Sequence, residues 1–125
     1  MDYGAQYLRI VGPLNDASQK AGATIKESDT TAQIAAKFEP MIVQVQRVDS
    51  ELLKSPWPAS AQKDVKDLVA ANVAMVAAIR DTNANASDYL AAVERAGEKA
   101  VDDAGSVRAD LGLPPNRGSS VGPDT

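Results

Sequence analysis

The chain has neither cysteine nor histidine. The first absence excludes disulfides, thiolate nucleophiles and Cys-type zinc sites, and leaves the redox compartment undecided. The second removes His-based acid/base catalysis, Ser-His-Asp triads, axial haem histidines and the Glu-x-x-His pairs of a di-iron bundle. Aromatics are scarce at 4% of residues, with a single tryptophan, so the position of each one carries information. No apolar run approaches the ~20 residues of a membrane-spanning helix, and "LVAANVAMVAAI" at 68–79 falls well short. Basic residues number 13 against 17 acidic ones, a net charge of −4, with no Lys/Arg cluster on one face. Such a surface repels a phosphate backbone on average, which argues against nucleic acid as a partner. The glycines stand singly, without a phosphate-cradling loop, so no nucleotide site is expected.

What is present is alanine and helical periodicity. A chain of 125 residues fits one domain with one core. Tyr3, Tyr7, Ile10, Leu14, Ala17 and Ala21 recur at steps of four and three, the seam of a first helix whose phase runs unbroken through Pro13. Thr30 with Gln33 reads as a capping box opening a second helix, with Ile34, Phe38, Met41, Val45, Val48 and Leu52 along its seam and Pro40 inside it. Both helices are expected to kink at their prolines. A third helix is expected from near Ser60 as N-cap, with Val65, Leu68, Val69, Met75, Val76 and Ile79 on a broad face. A fourth opens at Asn85, with Asp88 three residues later. It points Leu90, Val93, Gly97, Ala100, Ala104, Val107 and Leu111 inward and stops at Gly112-Leu113-Pro114.

Of the 22 alanines, 15 fall between residues 59 and 111, so the third and fourth helices can approach their neighbours closely. The expected fold is all-α: an up-down-up-down antiparallel four-helix bundle over residues 1–113, proline-kinked in helices 1 and 2, followed by a flexible C-terminal tail over 114–125. A three-helix array, or a dimer exchanging helix 1, is the structural alternative.

Few residues invite a functional reading. Trp57 lies between Pro56 and Pro58 in "KSPWPAS", where the chain can be neither helix nor central strand. The expectation is a plug that buries its indole over one end of the bundle; the alternative is a solvent-facing aromatic that binds a partner or a sugar. Asn72 falls inside the apolar face of helix 3 and is expected to bond across to another helix and set register, with ligand contact as the alternative. Glu94, Glu98 and Asp102 form an i, i+4, i+8 row with Arg95 and Lys99 alongside; it reads as a solvated face rather than a calcium site, because it lacks a turn that brings carbonyl ligands, and Asp102-Asp103 adds nothing. Asn85-Ala86-Ser87 matches a glycosylation sequon but reads as a helix cap. Val43 lies opposite the seam of helix 2, flanked by Ile42 and Leu53, and points to a partner surface if an apolar patch adjoins it. No catalytic, cofactor-binding or metal-binding residue is assigned, and no cofactor is expected.

Three fragments, "YLRIVGPLN" at 7–15, "SPWP" at 55–58 and "RADLGLPP" at 108–115, resemble small actinobacterial exported proteins or lipoproteins with helical bodies and no assigned activity. The resemblance implies an exported or cell-envelope setting, a lipid anchor upstream, and a targeting segment with its lipid-bearing cysteine replaced by Met1. It supplies no functional residue. Read without it, the lack of a basic n-region and an h-region leaves two readings, a cytoplasmic protein or one whose targeting segment was cut off and replaced by a start methionine. The functional expectation is a non-enzymatic interaction or accessory module with a protein partner, and self-association through heptad seams. The alternative is a carrier of an apolar small molecule or lipid, held between the Tyr3/Tyr7 end and the Trp57 end of the bundle.

Overall fold

The computed structural model describes residues 2–114, and among these there are four helices and no strand. They are α1 (Tyr3–Thr24), α2 (Thr31–Lys54), α3 (Ala59–Arg80) and α4 (Ala86–Asp110). Residues 115–125 of the expected tail lie outside the described residues. Pro114 belongs with the body, since the Arg108 side chain donates to its carbonyl at 2.8 Å.

Each helix begins and ends for a local reason. Asp2 caps α1 by accepting from the Ala5 N–H at 2.9 Å. The capping box of α2 is complete: the Gln33 N–H donates to the Thr30 hydroxyl, and the Thr30 N–H donates to the Gln33 side chain at 2.8 Å. Pro56 ends α2 at Lys54 by holding Ser55 extended. Asn85 caps α4 through the Asp88 N–H. At the far end of α4, Gly112 takes a φ of 75°, and the Gly112 and Leu113 N–H groups donate back to Ala109 and Arg108. This is a full Schellman closure.

The start of α3 differs from expectation. Pro58, not Ser60, is the cap residue, and no side chain caps the helix. The fixed φ of proline, here −61°, already suits the cap position, and the carbonyl of Pro58 accepts from Ala61 at 2.9 Å, so the helix starts two residues earlier and Ser60 lies within its first turn. Pro13 and Pro40 lie inside continuous helices, as their unbroken phase predicts, and both face solvent.

Cross-helix hydrogen bonds fix the arrangement. Gln6 donates to Ser55, Arg47 to the Ile10 carbonyl, and Lys37 to the Thr24 carbonyl, so partners count upward along α1 and downward along α2. Asn72 on Asp49 and Arg80 beside Glu39 give α2 and α3 the same opposed numbering. The most extensive backbone approach is between α3 and α4, where Ala61, Ala71 and Ala100 are buried. Small side chains permit that closeness.

The interior forms two clusters. One gathers Tyr7, Ile10, Leu52, Trp57, Leu68 and Val107; the other gathers Ile34, Phe38, Val45, Ile79, Tyr89 and Val93, and Leu14 packs against both. Two positions depart from expectation. Ile42 does not flank Val43 on the surface but is fully buried, because the apolar face of α2 is wide enough to take the residue next to Met41 on its α3 side. On α4 the deepest residue of the first turns is Tyr89, whereas Leu90 is half-buried. The Tyr89 hydroxyl donates to the carbonyl of Ile79, in the last turn of α3, where no intrahelical donor is left.

Candidate functional site

The residues singled out by sequence separate into buried fasteners and an exposed face. Trp57 is 5% exposed and packs against Tyr3 and Tyr7, with ring centroids 6.2 and 6.4 Å away. Its indole N–H donates to the Leu52 carbonyl at 2.7 Å, so one side chain both fills the end of the bundle and satisfies the last turn of α2. The three aromatics share one end, and their contact corrects the placement assumed for a carrier: no compartment separates a Tyr3/Tyr7 end from a Trp57 end. Burial pushes the Tyr7 hydroxyl up to about 12, against a smaller opposing pull from Arg108.

Asn72 is 3% exposed and donates to the Asp49 carboxylate at 2.9 Å, tying α3 to α2 as its position on the seam predicts. Asp49 was not legible as its partner, since it sits one step outside the helix 2 seam. Burial raises the affinity of Asp49 for its proton, and the Asn72 hydrogen bond partly offsets this.

Glu94, Glu98 and Asp102 are exposed, and among the described residues no group of three carboxylates is placed to hold a metal ion. Lys99 pairs with Asp103 instead. At the far end of the same helix, Asp110 holds its proton more tightly through a hydrogen bond with Asp64 of α3. The Asn85 side chain is occupied as a cap, with Ser87 exposed beside it.

Surface depressions on α2 are shallow. One of about 340 Å³ is lined by Arg47, Ser50, Glu51, Lys54 and Ser55. Its guanidinium is already committed to Gln44, Glu51 and the Ile10 carbonyl, so it fastens α1 to α2 rather than awaiting an anion. A smaller one, of about 160 Å³, brings Leu53 and Lys66 to a common rim beside Trp57.

The exposed face is built on α2 and α3. Val43 and Leu53 are each 59% exposed and Val73 is 58% exposed; Leu8, at 42%, is the other large apolar side chain on the surface of the described residues. The contacts of Asp49 with Asn72 and of Glu39 with Arg80 set the register between the helices. Counting from them, Leu53 lies beside Lys66, Val73 beside Gln46, and Val43 beside Ala77. Ala70, Ala74 and Ala77 are exposed on the same side of α3. By this count Val43, Val73 and Leu53 fall on the solvent side of the α2/α3 pair. Val73 is the residue that sequence reading missed. The argument that marks Val43, a valine outside the seam, applies equally to the residue after Asn72.

No protein-family model matches the chain, and neither a curated protein nor a solved structure matches it.

Proposed function

We propose that the chain is a non-enzymatic interaction or accessory module that docks a protein partner on the outer face of α2 and α3, and that it works at the cell envelope. One observation carries the docking: among the described residues, three of the four exposed large apolar side chains lie on that face, while the other large apolar residues are covered or partly covered. Apolar surface left in water forgoes about 25 cal/mol per Å², and a gathered patch, unlike a lone exposed valine, is recovered when a partner covers it. The non-enzymatic part is supported by residue content, since the chain has no histidine or cysteine with which to run the commonest acid/base and nucleophilic chemistries. The envelope setting is supported by the resemblance of the three fragments alone.

Photo-crosslinking tests the docking. A photoreactive side chain at Val73 in the full protein, produced in its own cells, is expected to give a discrete adduct, and the same group at Glu98 on the outer side of α4 none. Equal labelling at both positions, or none at either, would overturn it. Catalytic turnover abolished by Asn72→Ala in a protein that still folds would overturn the non-enzymatic part.

A further inference from the structure

We infer that the first part of α1, residues 3–11, is a hinged flap that pivots at Gly12-Pro13 and is latched shut by Leu113 lying on Gly4. The pivot is written into the helix. Pro13 offers no N–H to the carbonyl of Arg9, and Gly12 beside it is the next weakest helix former. A bend at this point finds one rung of the hydrogen-bond ladder already missing.

The flap is fastened on one side only. The backbone of α1 runs close to that of α2 alone. Gln6 donates to Ser55 at the end of α2, and Arg47 of α2 donates to the Ile10 carbonyl. Among the described residues no hydrogen bond or ion pair joins residues 3–11 to α3 or α4. Beyond the pivot the rest of α1 is anchored separately, through Lys37 on the Thr24 carbonyl.

The latch lies on the α4 side. The turn at Gly112 folds Leu113 back, with its N–H on the Arg108 carbonyl at 2.8 Å, while the Arg108 side chain donates to the Pro114 carbonyl and holds the turn from the other side. Leu113 thereby packs against the Tyr7 and Trp57 cluster and covers Gly4, which is buried although it stands in the first turn of its helix. A methyl group on Gly4 would lie 3.1 Å from the Leu113 Cδ2 atom, so a side chain there would push the latch outward. With the latch undone, Tyr3 and Tyr7 swing away from the Trp57 indole. The second apolar cluster stays closed, because residues 3–11 contribute nothing to it.

Native-state hydrogen exchange on the full protein, read at the amides of residues 7–11 and of residues 65–79 in α3, is the test. Residues 7–11 are expected to exchange at least about tenfold faster than α3 and with a weaker dependence on urea, since the flap opens without exposing the whole core. Ile34→Val, in the cluster that the flap does not touch, should speed exchange in α3 about fivefold and leave residues 7–11 unchanged, because Ile34 stays packed when the flap opens. Leu113→Ala should speed residues 7–11 about tenfold. Gly4→Val should do the same by displacing Leu113, and should add little in a chain that already carries Leu113→Ala. Pro13→Ala, which returns a donor to the Arg9 carbonyl, should slow residues 7–11. If residues 7–11 share the urea dependence of α3 and respond equally to Ile34→Val, α1 opens only with the whole molecule and the inference is overturned. Indifference of residues 7–11 to Leu113→Ala and Gly4→Val would remove the latch, and indifference to Pro13→Ala would remove the pivot; either result overturns it as well.

Discussion

Trp57 concentrates more structural work than any other side chain in this aromatic-poor chain. It closes one end of the core, touches Tyr3 and Tyr7, and donates to the end of α2. Trp57→Ala is expected to cost about 3–5 kcal/mol in urea titration, whereas Trp57→Phe, which keeps most of the bulk but leaves the Leu52 carbonyl without its donor, should cost about 1–3 kcal/mol. As the single tryptophan, it should also emit at short wavelength and resist acrylamide quenching in the native protein; emission typical of indole in water would contradict its burial. Asp49 makes a second residue-scale prediction with a definite sign. Its carboxyl binds its proton more tightly folded than unfolded, so its contribution favours folding at acid pH and is lost as pH rises through the raised value. Asp49→Asn keeps the acceptor for Asn72 and removes the half-buried charge. It should therefore raise the melting temperature at neutral pH, with the difference vanishing below about pH 3, where the wild-type carboxyl is protonated in both states. A difference constant across pH would show that the charge is not its source.

At the scale of elements, caps and stops were the most legible features, because each is decided by a few adjacent residues. Thr30 with Gln33, Asn85 with Asp88, and Gly112 followed by Leu113-Pro114 all behave as their local chemistry demands. Gly112→Ala is expected to cost about 1 kcal/mol, entirely through its positive φ, since no neighbouring atom would meet the added methyl. The start of α3 was less legible for an equally local reason: a proline already in cap geometry displaces the hydroxyl that a search for side-chain caps looks for. Pro13 and Pro40 deprive the carbonyls of Arg9 and Ala36 of their intrahelical donors. Proline inside a helix costs about 3 kcal/mol relative to alanine and returns about 1 kcal/mol by restricting the unfolded chain. Pro13→Ala and Pro40→Ala should therefore each raise stability by about 1–2 kcal/mol in urea titration. A loss in either variant would mean that the proline shapes how its helix packs.

Across the whole molecule, the two apolar clusters predict how damage combines. Trp57→Phe and Ile34→Val touch different clusters, so their effects on unfolding free energy should add within about 0.5 kcal/mol. Trp57→Phe and Tyr7→Leu share a contact and should depart from additivity by more than that. Additive behaviour in the second pair would show that the aromatic end is not one packed unit. The sequence by itself determined the helices, most of their ends, the seams facing inward and the fate of Trp57 and Asn72. Periodicity and caps act within a turn or two, and a residue among apolar neighbours on one stripe has only one place to go. Only the tertiary structure decided that Asp49 meets Asn72, that Tyr89 rather than Leu90 lies deepest, and that Ile42 is interior. It alone brought Val43, Leu53 and Val73 to one side of the molecule. Those outcomes depend on the rotation and register of one helix against another, which are set by the packing of side chains far apart in the chain.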